Sequence, residues 1–328
     1  MRRYHVSTNS RAFSLVAVVA AGITLLTFAH PAKSQADVLV TSGESHSIER
    51  FTNGGVWLGE FAGTGPYAPV AIAQSKVTGA YFVTVGTGQI LRYTSTGSQF
   101  GNWDTLHIPN SPNPAASVVF DKSGNLWVDS YFGTAGYTVV LYEYAAASLS
   151  NPNPAPIKTF STTLPRGDQL AIDKTGNICV SSFIGQTVQC FNASTGVLAF
   201  DYATEIDGIS PRPEPVGLAF NPANNKLLID SFYDGQISIE TGPAHVGPMA
   251  VLASGLTVDT NMVTLSGGYL YVPSWNNADN RYLNCTYYAC VDYDFTPDIV
   301  YSVNITTGTV TKFITRHIYG PAQLVFMM

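Results

Sequence analysis

The chain has 328 residues, 45% hydrophobic and only 12% charged, with a formal net charge of −6. No basic stripe of the kind that neutralises phosphates is present, which excludes a nucleic-acid partner. The 29 Gly, 19 Pro and 18 Tyr instead fit an all-β protein rich in turns and aromatic strands.

Read from its start, the chain carries Arg2, Arg3 and Arg11, an apolar run from Phe13 to Ala29, and then "HPAKSQA", where Ser34 and Ala36 satisfy the small-residue rule for cleavage. The run is broken by Ala21-Gly22 and Thr24, short of the ~20 apolar residues of a membrane anchor. Residues 1–36 therefore read as a secretory signal peptide and 37–328 as a secreted or periplasmic protein with no stable membrane span after cleavage. Removing Arg2, Arg3, Arg11 and Lys33 leaves 12 basic against 22 acidic residues, a distinctly acidic mature chain.

From residue 37 onward the sequence repeats. One strand recurs as "DVLVTS", "AYFVTV", "NLWVDS", "NICVSS", "KLLIDS" and "YLYVPS", at intervals of 43 to 52 residues. Each copy is followed by a third strand ("SIERF", "GQILRYT", "YTVVLYEY", "QTVQCFN", "GQISIET", "DIVYSVN") and a fourth ("VWLGEFAG" through "VTKFITR"). Turns such as "DKSGN", "DKTGN", "TSTG", "NASTG" and "NITTG" separate them, with Gly where positive φ is needed. A period of this size built only from strands predicts a β-propeller with one four-stranded blade per repeat.

First strands precede the second ones as "APVAIAQ", "AASVVFD", "GDQLAID", "PVGLAFN" and "NMVTLS", and a sixth appears only at the end, "PAQLVFMM". The mature chain thus starts on a second strand and finishes on a first strand. Blade one is expected to be assembled from both ends, closing a six-bladed, single-domain, monomeric ring without exposed sheet edges.

Two long connections interrupt the repeat. "AAASLSNPNPAPI" in blade three reads as a Pro-stiffened surface loop, and "WNNADNRYLNCTYYACVDYDFTP" in blade six, residues 275–297, as a lid or contact surface. The four cysteines all lie in the mature part, as suits an oxidising compartment. Cys179 and Cys190 fall on the two arms of one hairpin and Cys285 and Cys290 in one short loop, so two disulfides are expected in preference to four buried thiols.

"FDKSGNLWVDS" (120–130), "IDKTGNICVSS" (172–182) and "FNPANNKLLIDS" (220–231) resemble NHL-type repeats and the wider group of six-bladed propellers that includes streptogramin lyase-like proteins and gluconolactonase-like lactonases. The lyases imply a His- and Glu-based metal site, but His46, His107, His245 and His317 do not form that pattern. The lactonases imply one divalent cation at the channel mouth, held by Glu, Asn and Asp from first-strand starts. Aligning the first strands puts Ala116, Asp168, Val216, Asn261 and Ala322 at one position, with blade two near Pro69. Asp168, Asn261 and Glu214 are thereby the candidate ligands of Ca²⁺ or Mg²⁺, although Val216 stands where an asparagine is expected. The same residues also read as a solvated channel rim. Asp129 and Asp230 read as structural, and Asp292, Asp294 and Asp298 as a solvated loop or a calcium site.

The reading is an exported binding or scaffold module with an unknown protein or small-molecule partner; the alternative is a metal-dependent, lactonase-like hydrolase using Asp168, Glu214 and Asn261. No G-x-S-x-G elbow, zinc spacing or phosphate-cradling loop is present. Asn192, Asn284 and Asn304 lie in sequons, which are glycan sites in a eukaryotic source.

Overall fold

The computed structural model describes residues 36–104, 115–130, 138–152, 154–203, 214–232, 234–245, 248–257, 260–275 and 298–328. They form six antiparallel four-stranded sheets. Blade one holds β1 (Val38–Ser42), β2 (Ser47–Phe51) and β3 (Trp57–Gly63); blade two β4 (Pro69–Gln74), β5 (Tyr81–Val85), β6 (Gln89–Tyr93) and β7 (Gln99–Asp104). Blade three holds β8 (Ala115–Phe120), β9 (Leu126–Ser130), β10 (Val140–Tyr144) and β11 (Lys158–Ser161). Blade four holds β12 (Leu170–Ile172), β13 (Asn177–Ser182), β14 (Thr187–Asn192) and β15 (Leu198–Ala203). Blade five holds β16 (Pro215–Phe220), β17 (Leu227–Ser231), β18 (Gln236–Glu240) and β19 (Met249–Ser254); blade six β20 (Thr264–Ser266), β21 (Tyr269–Ser274), β22 (Ile299–Asn304) and β23 (Val310–Ile314). The last strand, β24 (Pro321–Phe326), pairs with β1, as in Val38↔Phe326 and Val40↔Leu324, so blade one runs β24-β1-β2-β3 and the ring closes. The expected fold and the shared blade are both present.

Second strands are buried along nearly their whole length because each is covered by a neighbouring blade on either side, which explains their unbroken apolar runs. Buried side chains accordingly group by seam. Leu39 and Ile48 meet Ile72 and Tyr81 between blades one and two, and Trp127 and Leu141 meet Leu170 and Ile178 between three and four. Val38 and Leu324 meet Tyr271 and Val300 between blades one and six, so the closing seam is packed like the others.

The hairpin turns between third and fourth strands dock on the preceding blade. Gly55, Gly97 and Gly308 have φ of +78°, +86° and +71°, and each amide donates to Thr52 O, Thr94 O or Asn304 O within its own turn. A Cβ on any of them would run into a main-chain carbonyl of the neighbouring fourth strand, at Phe313, Phe61 and Leu252 respectively. Glycine is thus required there for conformation and for the approach of one blade to the next.

The blade-three connection carries a 3₁₀ turn at Ala146–Ser148 and is pinned rather than loose. Arg92 Nη1 of blade two donates to Leu149 O (2.7 Å) and Asn151 O (3.1 Å), and Ala146 N donates to Asn125 Oδ1 (3.1 Å). Cys179 and Cys190 pair in register on β13 and β14 and form a disulfide, both fully buried. The Cys285–Cys290 pair, His107, Asn284, Asp292, Asp294 and nearly all of the blade-six insertion lie outside the described residues. No described helix is long and apolar enough to cross a membrane.

Candidate functional site

Around the central channel, first strands are joined to their neighbours by side chains at one repeat position. The Thr41 hydroxyl accepts Gln323 N–H of its own blade and donates to Val70 O of blade two; Thr84 accepts from Ala71 N and donates to Ala116 O of blade three. Ser181 accepts from Gln169 N and donates to Val216 O of blade five. These bonds match the sequence alignment and refine its blade-two member from near Pro69 to Val70.

One residue deeper, the inward-facing N–H groups of the innermost strands are capped by side chains of other blades. Gln323 Oε1 accepts from Ile72 N at 2.8 Å, and Ser117 Oγ from Leu170 N at 3.0 Å. Gln169 reaches furthest: its Oε1 accepts from Leu218 N (2.9 Å) and Val263 N (2.8 Å), and its Nε2 donates to Val263 O (2.8 Å). The Met262 side chain of blade six packs with Ala71, Ala115 and Val118 of blades two and three. Gln169 and Met262, both buried, therefore tie blades that are not neighbours in the ring. The sequence did not single out either residue, because a polar or flexible apolar side chain on a short inner strand carries no signal of what it spans.

Of the three candidate metal ligands, Asp168 is already engaged. Its Oδ1 takes Arg166 Nε at 2.6 Å and Nη2 at 2.5 Å, and its Oδ2 takes Phe183 N at 2.8 Å. Burial pushes its carboxyl above the usual range, opposed by the Arg166 guanidinium and the Phe183 N–H. Asn261 Oδ1 accepts from its own neighbour Met262 N at 3.1 Å. Glu214 is half-buried, and its Oε2 has no hydrogen-bond partner. Burial pushes this carboxyl up, with further help from the negative charge of Asp234. Among the described residues, no three His, Cys, Asp or Glu side chains come together as a group able to hold a metal ion.

Arg166 was missed in the sequence, being a loop residue two positions before its partner. Its guanidinium lies 4.9 Å from the centre of the Phe183 ring, which in turn meets Phe232 edge-to-face at 5.4 Å. Phe183 and Phe232 occupy one repeat position, the residue after the second-strand terminal Ser, and Trp275 of blade six occupies it too. All three are half-buried, whereas blades one and two have Gly43 and Gly86 there. Trp275 Nε1 donates to Pro321 O at 3.1 Å. The mouth is thus aromatic on the side of blades four to six and small on the side of blades one and two.

Asp129 and Asp230 take the repeat position that Thr41, Thr84 and Ser181 fill elsewhere. Asp129 Oδ1 accepts from Ser117 N at 2.7 Å, the structural bond expected of it, while its Oδ2 has no partner. Burial pushes Asp129 up to about 8, and pushes Asp230, whose two oxygens both lack partners, well above the usual range against the nearby Thr260 hydroxyl. Asp298 is structural: its Oδ2 accepts Gly320 N at 2.5 Å. His245 lies between blades four and five, stacked on Phe200 at 4.2 Å and contacting Asp173, Asn225 and the Tyr202 hydroxyl. His317 stacks on Trp57 at 4.4 Å.

No family model matches the chain, and no curated protein matches its sequence. Solved structures do match, with TM-scores of 0.64 for a Bacteroides caccae protein of unknown function and 0.63 for a nidogen/laminin complex, each 14% identical and covering 89% of this chain and 98% of that one. A streptogramin B lyase matches with a TM-score of 0.59 at 10% identity, covering 89% of this chain and 87% of that one. These similarities establish a six-bladed propeller fold; at such identity they carry no activity across.

Proposed function

We propose that the protein is exported and acts as a non-enzymatic binding or scaffold module, using the face formed by the second-to-third and fourth-to-first strand connections. The observation that carries this reading is the state of Asp168. The one aspartate positioned by the repeat as a metal ligand is held by Arg166 and the Phe183 amide, beside the half-buried rings of Phe183 and Phe232. The buried disulfide supports export, and the nidogen/laminin neighbour supports protein binding as a use of this fold.

The hydrolase reading rests on Glu214 Oε2 alone and would require Asp168 to give up Arg166. Thermal unfolding of the mature chain with and without Ca²⁺ or Mg²⁺ separates the two, since a ligand of the folded state raises its stability by mass action. No shift is expected; a metal-dependent rise abolished by Asp168→Ala would replace the binding reading with the hydrolase one. The positive test is cross-linking of the tagged protein to its extracytoplasmic partners. Ile184→Glu, at an exposed position on the connection face, is expected to abolish a specific adduct, and Val197→Glu, on the opposite hairpin turns, to leave it unchanged.

A further inference from the structure

In each antiparallel blade the first-to-second and third-to-fourth turns leave from the same end of the sheet, opposite the connections that form the mouth. The two ends differ in charge. Lys76, Lys122 and Lys174 stand in the first-to-second turns of blades two, three and four, all exposed and none in an ion pair among the described residues. The acids at this end are already engaged. Asp121 Oδ1 accepts Ser123 N (2.8 Å) and Asn125 N (2.9 Å), Asp173 Oδ1 accepts Thr175 N and Asn177 N (both 2.8 Å), and Asp37, at the start of β1, pairs with Arg50 at 2.6 Å. The third-to-fourth turns contain no acidic residue, whereas Glu44, Glu214 and Asp234 belong to the connections at the other end.

Apolar exposure divides in the same way. Apart from the terminal Met328, the four most exposed large apolar side chains among the described residues are Val77 (67%), Val56 and Val197 (64% each) and Ile157 (55%), and all four lie in these turns. Ile184 alone represents the mouth connections among the exposed ones described. Turns of successive blades also touch. Val77 of blade two lies where a Cβ on Gly124 of blade three would meet it, Lys158 Nζ of blade three donates to Ala193 O of blade four at 3.0 Å, and Lys174 N of blade four donates to Asn225 Oδ1 of blade five at 2.7 Å. Unpaired cations and exposed apolar groups therefore share one continuous surface.

Exposed apolar groups on such a surface are driven out of water, and lysines without partners are drawn to negative charge. A linear polyanion needs cations along its track. Here they are dispersed, one to a blade, with apolar side chains between them. A plane of anionic headgroups over hydrocarbon satisfies both features at once.

We infer that this end of the ring is a docking surface for an anionic lipid bilayer, with Lys76, Lys122 and Lys174 against the headgroups and Val77, Val197 and Ile157 entering the headgroup–acyl boundary. The mouth then faces away from the membrane. This goes beyond the binding reading, which concerns the opposite face.

The test is co-sedimentation of the full mature protein with vesicles of phosphatidylglycerol and phosphatidylcholine in equal parts, beside vesicles of phosphatidylcholine alone. Binding to the anionic vesicles is expected, falling as salt rises, with much weaker binding to the neutral ones. A lysine near such a surface contributes about fivefold in affinity, so changing Lys76, Lys122 and Lys174 together to Gln should weaken binding about hundredfold. Val77→Glu combined with Val197→Glu should abolish it, and Ile184→Glu should leave it unchanged. No sedimentation with anionic vesicles, equal binding to neutral ones, or binding unchanged in the triple variant would overturn the inference. So would retention on immobilised heparin without vesicle binding, which would mark the turns as a site for a soluble polyanion. The comparison of the two vesicle types uses only the wild-type protein, so it decides even where a variant folds poorly. Failure of vesicle binding with the Ile184-dependent adduct intact would sink the docking surface alone; loss of the adduct with vesicle binding intact would sink only the binding reading.

Discussion

Gly97 offers a direct measure of what holds one blade to the next. Its φ of +86° and the Phe61 main chain behind it make two separate demands on the same atom. Alanine would cost ~1–2 kcal/mol for the left-handed conformation alone. Its Cβ would lie 3.2 Å from the Phe61 carbonyl carbon and closer still to the oxygen. Because main chain cannot swing aside like a side chain, this overlap should add ~1–3 kcal/mol, the usual range for overpacking. Gly176 is the matched control: its φ is +91°, but nothing lies within 4 Å of a Cβ built there. Gly176→Ala should therefore lose only the conformational part, and Gly97→Ala about 2–5 kcal/mol in all. Urea unfolding of both variants beside the parent protein reads the difference directly. If the two losses agree within ~0.5 kcal/mol, the ordinary error of such comparisons, the docking of turns on neighbouring blades contributes nothing and the account of the seams is wrong.

Other expectations concern the channel and the closing strand. Gln169→Leu, which keeps volume but removes three hydrogen bonds and strands the Leu218 and Val263 amides, should cost ~2–4 kcal/mol in the same unfolding assay. Asp129 is raised to about 8 in the fold, so its contribution is full below the ordinary carboxylate range near 4 and is lost as pH rises through 8. Asp129→Asn should flatten that decline in unfolding free energy measured at pH 4, 6 and 8; an unchanged slope would show the carboxyl to be ionised in the folded protein. Deleting Ala322–Met328 removes most of β24 and exposes the β1 edge, so the truncated chain should aggregate in size-exclusion chromatography. A soluble, equally stable truncation would contradict the pairing of Val40 with Leu324.

Much of this architecture was legible in the residues. Six copies of a strand ending near Ser, interleaved with out-of-phase first strands, were enough to count blades and to place "PAQLVFMM" beside "VLVTS", because period and alternation are properties of the chain itself. The Cys179–Cys190 bond was legible for the same reason, as facing positions of one hairpin. The repeat position of Asp168 was legible, but not the state of its carboxyl. Asp168 could be placed at the mouth by alignment, yet its commitment to Arg166 depends on how a loop returns over the strand. Gln169 illustrates the same limit: its three bonds go to blades five and six, separations that no local pattern encodes. Asp129 and Asp230 were read as structural, but the unpartnered oxygens, one on Asp129 and both on Asp230, follow from substituting a carboxyl into a position shaped for a hydroxyl.

The composite blade also sets an order in time. With β24 as the inner strand of blade one, β1, β2 and β3 wait beside an empty edge until Pro321–Phe326 emerge. At ~5–20 residues per second of synthesis, that edge stays unprotected for many seconds after its own strands are made. The fold is therefore most vulnerable just before β24 is made, and a chaperone or a translocating channel that keeps the earlier strands unfolded until then would guard the step the ring cannot perform early.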